Sequence, residues 1–298
     1  MKKQIFGLSP NLIPELQKQT TNLINENMKY FKGLVAYILK IVKQRYIIRT
    51  LVIRDFQSRY LSSYIGLPWA FIQPAVYVFV IWFAFTFGLK AGSTSSGLPF
   101  TPWLLTGMIP WLFISQTMIV TCLAIPEYGY LIKKTALNIW LIPLIKIFSG
   151  LIIHITMILV IIILFVAFYH ISPNIYWLQI FYYLFASFIL LTGIAWLVSS
   201  VNVLIPDTSH IINIIATVLF WATPIVWPYG RLTGSLKYVA LLNPFFYITE
   251  GYRYTFLEHR WFFEFTDMNI YFWIVTTIIF VSGAWIFKKL KPEFGDIL

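Results

Sequence analysis

Six long apolar segments occupy most of the chain after residue 67, and nearly all of the charged residues there lie between them. A helix needs about 20 apolar residues to cross a hydrocarbon core of roughly 30 Å. The segments run approximately from Trp69 to Leu89, Pro102 to Ile125, Leu137 to Tyr169, Tyr176 to Val201, Ile211 to Trp227 and Ile270 to Phe287. This pattern predicts an all-α integral membrane protein, with a domain of six transmembrane helices over residues 67–298.

The segment before the first span has a different pattern. From Leu34 to Tyr60, apolar residues lie largely on one side of a predicted helix and basic residues interrupt them. Such a pattern is typical of an amphipathic helix that lies at a membrane interface. We therefore predict an amphipathic cytoplasmic interface helix within residues 34–66, which either only adsorbs to the membrane or also forms a docking surface for a partner. Residues 1–33 form a polar N-terminal extension without an assigned function.

The segment before the last span, Tyr229 to Asp267, is the longest predicted external connection. It contains apolar stretches, Tyr238 to Leu242 and Phe245 to Tyr247, that are too short to cross a membrane. Short re-entrant helices would satisfy their backbone groups within the outer leaflet. A plain folded external loop is the alternative.

The orientation of the spans follows from the positions of Lys and Arg. The net charge of +11 could indicate nucleic-acid binding. Seventeen of the 22 Lys and Arg residues, however, precede the first span, lie near the second-to-third connection or follow the last span. Cytoplasmic segments of membrane proteins carry this excess. Both termini are therefore predicted to be cytoplasmic, and no nucleic-acid partner is expected.

The sequence contains few groups that could carry chemistry of their own. It has no Gly-rich lysine loop for ATP phosphates, no His or Cys pair at metal-ligand spacing, and no recognisable nucleophile motif. We predict no catalytic residue, metal or bound cofactor in this chain. His154 is the one ionisable residue near the middle of a predicted span, and it either bonds a neighbouring helix or serves a proton relay.

The composition supports a membrane protein and adds one feature. Only 11% of the residues are charged, against about 25% in soluble domains. Aromatic residues make up 19% of the chain. We assign several tryptophans to the interfacial belts, namely Trp103, Trp111, Trp177, Trp261 and Trp273. Other aromatic residues either pack helices together or line a channel in which they stack on sugar faces, namely Trp69, Tyr77, Trp82, Phe220 and Trp221.

Several motifs follow one another in a fixed order along the chain. They are RDFQSRYLSSYIGLPWAFIQP, LLTGMIPWLFIS, YLIKKTALNIWLIPL, VSSVNVLIPDTSHIINII, ATPIVWP, LLNPFFYITEGYR and KKLKPEFGDIL. In this order they resemble the permease subunits of type-2 ABC exporters, and in particular the branch that exports lipid-linked polysaccharides. Two positions depart from that pattern: Asn138-Ile139 replaces the usual aromatic-Pro, and Pro206-Asp207 replaces Arg-Asp.

The resemblance implies that the membrane path and the hydrolysis of ATP belong to different subunits. The permease would pair with itself, and two copies of a separate cytoplasmic ATPase would bind beneath it and hold ATP and magnesium. The implied ATPase-coupling residues are Arg54, Asp55, Arg59, Lys133, Lys134, Asp207 and His210, with Glu127 as a further contact. The implied external gate consists of Asn243, Glu250 and Arg253. Glu250 and Arg253 either form an ion pair within this gate or serve only as a helix cap or a surface pair.

The resemblance also implies a substrate and a location. The substrate would be a polyprenyl-pyrophosphate-linked glycan, such as O-antigen of lipopolysaccharide, capsule or wall teichoic acid, moved across the bacterial cytoplasmic (inner) membrane. Three alternatives are considered at the level of sequence. They are a type-2 ABC permease for drugs or small lipids, a membrane enzyme acting on polyprenyl-phosphate sugars, and a binding or scaffold protein, which the six-span pattern disfavours.

Overall fold

The computed structural model describes residues 45–60, 64–90, 99–134 and 138–297. The chain divides into two compact units, Met1–Leu51 and Val52–Leu298. Only residues 45–51 of the first unit are described, so the predicted extension over residues 1–33 and the predicted helical residues 34–44 lie outside the described residues. All of the apolar segments that predict membrane spans belong to the second unit.

All regular structure in the described part of the chain is helical, which confirms the predicted fold class. The α-helices are α1 (Arg45–Ser58), α2 (Trp69–Phe83), α3 (Phe100–Cys122), α4 (Ala124–Glu127), α5 (Gly129–Lys134), α6 (Leu141–Phe168), α7 (Ile180–Leu204), α8 (Thr208–Ala222), α9 (Ser235–Leu241), α10 (Pro244–Arg253), α11 (Thr266–Leu290) and α12 (Phe294–Ile297). Single turns of π-helix, Ala84–Gly88 and Tyr254–Glu258, extend α2 and α10. Turns of 3₁₀-helix occur at Ile175–Gln179, Tyr229–Arg231, Phe262–Glu264 and Lys291–Glu293.

In the described part of the chain, five helical segments are long and apolar enough to cross a membrane: Trp69–Gly88, Phe100–Cys122, Leu141–Phe168, Ile175–Leu204 and Thr266–Glu293. The remaining predicted span, Ile211 to Trp227, corresponds to α8, which has only 15 residues. At 1.5 Å per residue α8 is about 22 Å long. It ends at Ala222 because Pro224 disfavours helical geometry at Thr223, whose ψ is 135°. The count of six spans therefore stays a prediction.

The most buried of these helices is α3, which packs against α2, α6, α7, α8 and α10. Its apolar side chains occur on all sides, as expected for a helix enclosed by others. Leu104, Met108 and Ile114 are completely inaccessible to solvent. By contrast, much of α2 and α11 is apolar and exposed, as expected for surfaces in contact with lipid or another membrane subunit.

The predicted external segment does contain short helices, α9 and α10. Asn243 caps the start of α10, because its side-chain oxygen accepts a hydrogen bond from the Phe245 backbone N–H at 3.0 Å. Pro244 follows at the first helical position, where its missing N–H costs nothing. Whether α9 and α10 enter the outer leaflet stays a prediction.

Two glycines allow α7 and α11 to approach closely. A Cβ atom placed on Gly193 would lie 2.6 Å from the Cα atom of Phe280. A Cβ atom placed on Gly283 would meet the backbone oxygen of Gly193. Small residues allow such backbone contact between membrane helices. The packing of α7 on α11 therefore depends on the absence of a side chain at both positions.

We expect Gly193→Ala to lower the thermal stability of the purified protein in detergent, because the new methyl group meets backbone atoms. Overpacking of this kind costs roughly 1–3 kcal/mol. Gly295→Ala is the matched control, since its Cβ atom would have no neighbour within 4 Å. Equal unfolding midpoints for the two variants would contradict the expectation.

Candidate functional site

A groove with a volume of about 510 Å³ lies between α2, α3 and α8. Its lining contains uncharged polar residues, namely Gln73, Ser115, Gln116, Asn213 and Thr217. It also contains aromatic residues, namely Tyr77, Phe85, Trp111, Phe220 and Trp221, together with aliphatic side chains and Pro74. Among the residues that the structure describes, no charged side chain belongs to this lining.

Helical spacing explains why these residues share one surface. Gln73 and Tyr77 are one turn apart on α2, and Asn213 and Thr217 are one turn apart on α8. Residues four apart lie on the same face of a helix. The Tyr77 and Phe220 rings approach to 6.3 Å between centroids across the groove. Such a lining suits a ligand that combines hydroxyl groups with apolar faces, because amides and hydroxyls bind the former and aromatic rings pack on the latter.

The aromatic residues predicted to line a channel divide into two groups. Tyr77, Phe220 and Trp221 line the groove, and their contact with a ligand stays a prediction. Trp82 is not part of this lining, and its indole N–H donates to the Thr101 hydroxyl at 2.9 Å. Trp69 lies one turn before Gln73 and is not part of the lining either. The channel positions of Trp69 and Trp82 therefore stay predictions.

The polar residues of the groove were not recognised from the sequence. Their signal was present, since uncharged polar residues stand one turn apart inside apolar runs, as Asn213 and Thr217 do. Polar residues within membrane segments usually face the protein interior or a water-filled cavity. Trp111 was assigned to the interfacial belt, but it is only 3% exposed and packs against Phe220 and Phe245.

At the C-terminal end of α8, Arg253 occupies a fully buried position. Its guanidinium group donates to the backbone oxygens of Pro224 at 2.7 Å and Ile225 at 2.8 Å. It also forms an ion pair of 3.0 Å with Glu250. We call these groups the Arg253 centre. The burial excludes the surface-pair alternative for Glu250 and Arg253, and the ion pair itself is confirmed.

The surroundings of the Arg253 centre are shaped to accept the guanidinium group. It lies 3.8 Å from the centre of the Trp103 ring, a geometry of favourable cation–π attraction. A Cβ atom on Gly107 would be 2.6 Å from Arg253 Nη2. Asn243 binds the same helix end, because its side-chain nitrogen donates to the Thr223 hydroxyl at 2.7 Å. All three residues predicted for the external gate are thus found at the end of α8.

A second buried charged group lies at the opposite end of the spans. The carboxylate of Asp55 forms an ion pair with Arg59 at 2.6 Å and another with Lys146 at 2.5 Å. Lys146 also pairs with Glu127, and the Tyr128 hydroxyl donates to Asp55 at 3.3 Å. We call these five residues the Asp55 cluster. It joins α1, the connection between α3 and α6, and the first turns of α6.

The Asp55 cluster bears on two predictions. Asp55 is 3% exposed, so its carboxylate pairs with groups of its own chain, and its predicted role in ATPase coupling stays a prediction. Burial acts to raise the pKa of this carboxyl, but the charges of Arg59 and Lys146 outweigh it and hold the pKa below its ordinary value. The cluster also places the α1 end and the α3–α6 connection on the same side, as the distribution of basic residues predicts.

The other residues predicted to couple to an ATPase stay predictions. Arg54, Lys133, Lys134, Asp207 and His210 are all exposed. Arg59 is partly exposed while it pairs with Asp55, and the side chain of Glu127 is 49% exposed. These residues are accessible to a partner at the end of the spans that carries the Asp55 cluster.

His154 lies on α6, two turns after Lys146, and is buried. Its Nε2 atom is 2.6 Å from the Tyr252 hydroxyl of α10. Its ring stacks on Phe113 with centroids 4.5 Å apart. These contacts agree with the prediction of a bond to a neighbouring helix.

The sequence and the helical arrangement together identify the class of protein. The chain belongs to the ABC-2 type transporter family, which matches residues 46–257. This range includes the groove, the Arg253 centre and the Asp55 cluster. The resemblance of the motifs to type-2 ABC permeases is thereby confirmed, and the chain is a multi-pass membrane subunit of this family.

Named relatives extend over nearly the whole chain. It is 23% identical over 273 residues to an O-antigen export system permease protein RfbA of Klebsiella pneumoniae, covering 91% of this chain and 98% of the relative. A second Klebsiella pneumoniae protein of the same name is 24% identical over 273 residues, with the same coverage. The protein of that name from Myxococcus xanthus is 21% identical over 272 residues, covering 88% of this chain and 99% of the relative.

We expect Arg253→Met to lower the unfolding midpoint of the purified protein strongly, because Glu250 and two buried carbonyl groups would lose their partner. Breaking a buried ion pair in this way costs roughly 3–5 kcal/mol. Gly107→Ala should cause a smaller loss through displacement of the guanidinium group. Arg260→Met is the control, because the Arg260–Glu264 pair is largely exposed. A midpoint of Arg253→Met equal to that of the control would refute the importance of the centre.

Proposed function

We propose that this chain is the transmembrane subunit of an exporter of lipid-linked polysaccharide, driven by separate ATPase subunits. The observation that carries the proposal is the groove, whose aromatic rings and uncharged polar groups match the apolar faces and hydroxyls of sugars. The names of the relatives, which are O-antigen export permeases, point to the same substrate class. The particular polymer, whether O-antigen, capsule or wall teichoic acid, is not part of the proposal.

A second copy of the chain would complete the conduit. The groove of a single copy lies between α2, α3 and α8, and the remaining surfaces of α2 and α8 are apolar and exposed at Val76, Phe79, Phe83, Ile214 and Val218. A long glycan cannot be enclosed by one pocket, so two copies facing each other would provide a continuous lined path. The proposed assembly is therefore a homodimer of this chain.

Two copies of a cytoplasmic ABC ATPase would bind at the end that carries the Asp55 cluster. In the proposed complex ATP and magnesium belong to that partner, whose hydrolysis drives export. Both termini would face the cytoplasm, because Lys and Arg are concentrated in the corresponding segments. Basic residues on this side would also attract the anionic pyrophosphate of the lipid carrier. The interface helix predicted within residues 34–66 would contribute to the docking surface.

The proposal is tested by purifying the complex from its native host and reconstituting it in vesicles. We expect an ABC ATPase to co-purify and ATP to drive movement of a polyprenyl-linked glycan to the protected side of the vesicle membrane. Recovery of no ATPase, under conditions that preserve other membrane complexes, would contradict the proposal. ATP-driven movement of a drug or small lipid without glycan movement would favour the alternative type-2 permease.

We expect Thr217→Trp to block glycan export while the complex still assembles, because the indole would fill the groove beside Phe220. The control is Ile163→Trp, which adds the same side chain to an exposed position of α6. Export rate and ATPase co-purification are measured for both variants. Normal export by Thr217→Trp would exclude the groove as the path of the substrate.

A further inference from the structure

The Asp55 cluster lies outside the groove and contains two acidic and two basic side chains. The side chains of Asp55 and Lys146 are only 2% and 5% exposed, whereas those of Glu127 and Arg59 are 49% and 20% exposed. The pair between Asp55 and Lys146 is therefore the buried part, and the other two charges reach water. The cluster as a whole has no net charge at neutral pH.

Stability alone does not explain such a pair. Replacing a buried ion pair by apolar groups of similar volume is often neutral or stabilising, whereas removing one partner is strongly destabilising. The pair instead provides a fixed relative position, because Asp55 and Lys146 can both be satisfied only when their helices lie in this arrangement. Asp55 comes near the end of α1, while Lys146 belongs to the second turn of α6.

The helix that carries Lys146 continues to the other end of the protein. Two turns beyond Lys146, His154 is bonded to Tyr252 of α10. The next residue, Arg253, holds the outer end of the groove-lining helix α8. Packed side chains and hydrogen bonds of this kind are a physical route for coupling two distant sites.

We propose that Asp55 is a positioning residue that couples the proposed ATPase-docking end to the transmembrane conduit. Its carboxylate holds the end of α1 against Lys146, so that a displacement of α1 moves α6 and the α3–α6 connection with it. The inference rests on the proposed function in so far as an ATPase supplies the displacement. It assigns Asp55 to transmission within the chain and not to contact with the partner.

Three variants separate this role from simple charge compensation. Asp55→Asn and Lys146→Met each disrupt the buried pair, so both should lower the unfolding midpoint. The double variant D55N/K146M leaves no buried unpaired charge, because Glu127 and Arg59 reach water. We expect its unfolding midpoint to return close to that of the unchanged protein.

In the reconstituted complex, the double variant should still bind the ATPase and hydrolyse ATP. The glycan exported per ATP should fall roughly tenfold, within the range of coupling between distinct protein sites. Hydrogen exchange of the amides in residues 52–58 should become faster in the purified full chain. The control is Glu264→Gln, which removes an exposed pair of the same i,i+4 spacing as Asp55–Arg59 and should change none of these measurements.

Two results would overturn the inference. Full export per ATP in D55N/K146M would show that the pair only balances charge, and unchanged amide exchange in residues 52–58 would show that it does not hold α1. Failure of the proposed function is recognised separately, since the unchanged complex would then export no glycan. Amide exchange and thermal unfolding would still decide whether Asp55 holds α1 in place.

Discussion

The C-terminal end of α8 imposes a constraint on which the packing of α10 and its neighbours depends. Pro224 breaks the helix in a buried region, so the backbone oxygens of Pro224 and Ile225 need hydrogen-bond partners from elsewhere in the chain. Arg253 supplies them through two different nitrogen atoms. Because a guanidinium group has a rigid fork of donors, this requirement fixes α10, and α10 in turn contacts α3, α7 and α11. Gly107 and Trp103 then provide the space and the ring face that the guanidinium group occupies.

The Asp55 cluster resembles the Arg253 centre in chemistry but differs in what it joins. Arg253 binds one carboxylate on its own helix and two backbone oxygens at the break after α8. The Asp55 cluster joins side chains from three separate segments, and two of its members reach water. The first arrangement holds the groove at the C-terminal end of α8, and the second holds the proposed docking end. Helix α6 extends from the Asp55 cluster towards the Arg253 centre. It contributes Lys146 to the Asp55 cluster, and its His154 is bonded to Tyr252, the residue before Arg253.

The sequence predicted the helical class and most spans well, because length and apolar character determine whether a helix can cross a membrane. It could not settle α8, where Pro224 shortens an otherwise apolar run. The burial of single side chains was harder to predict than the positions of the helices. Trp103 and Trp111 lie near the ends of predicted spans or are of a residue type common at membrane interfaces, but both are enclosed by neighbouring helices. The burial of Asp55 was equally hard to predict. It is a charged residue on a predicted surface helix, and the sequence does not indicate that Lys146, 91 positions later, pairs with it. Contacts between distant segments are not contained in the local pattern.

The uncharged lining of the groove has a consequence for movement through it. A fixed charge would create a deep energy minimum for an oppositely charged group and a barrier for a like one, especially where water is scarce. Amide and hydroxyl groups beside aromatic rings instead offer many shallow minima of similar depth. Conduction requires contacts that are favourable enough for a ligand to enter and weak enough for it to leave. In the proposed exporter, a long ligand would therefore advance by exchanging one weak contact for the next, with little dependence on which of its repeating units occupies the groove.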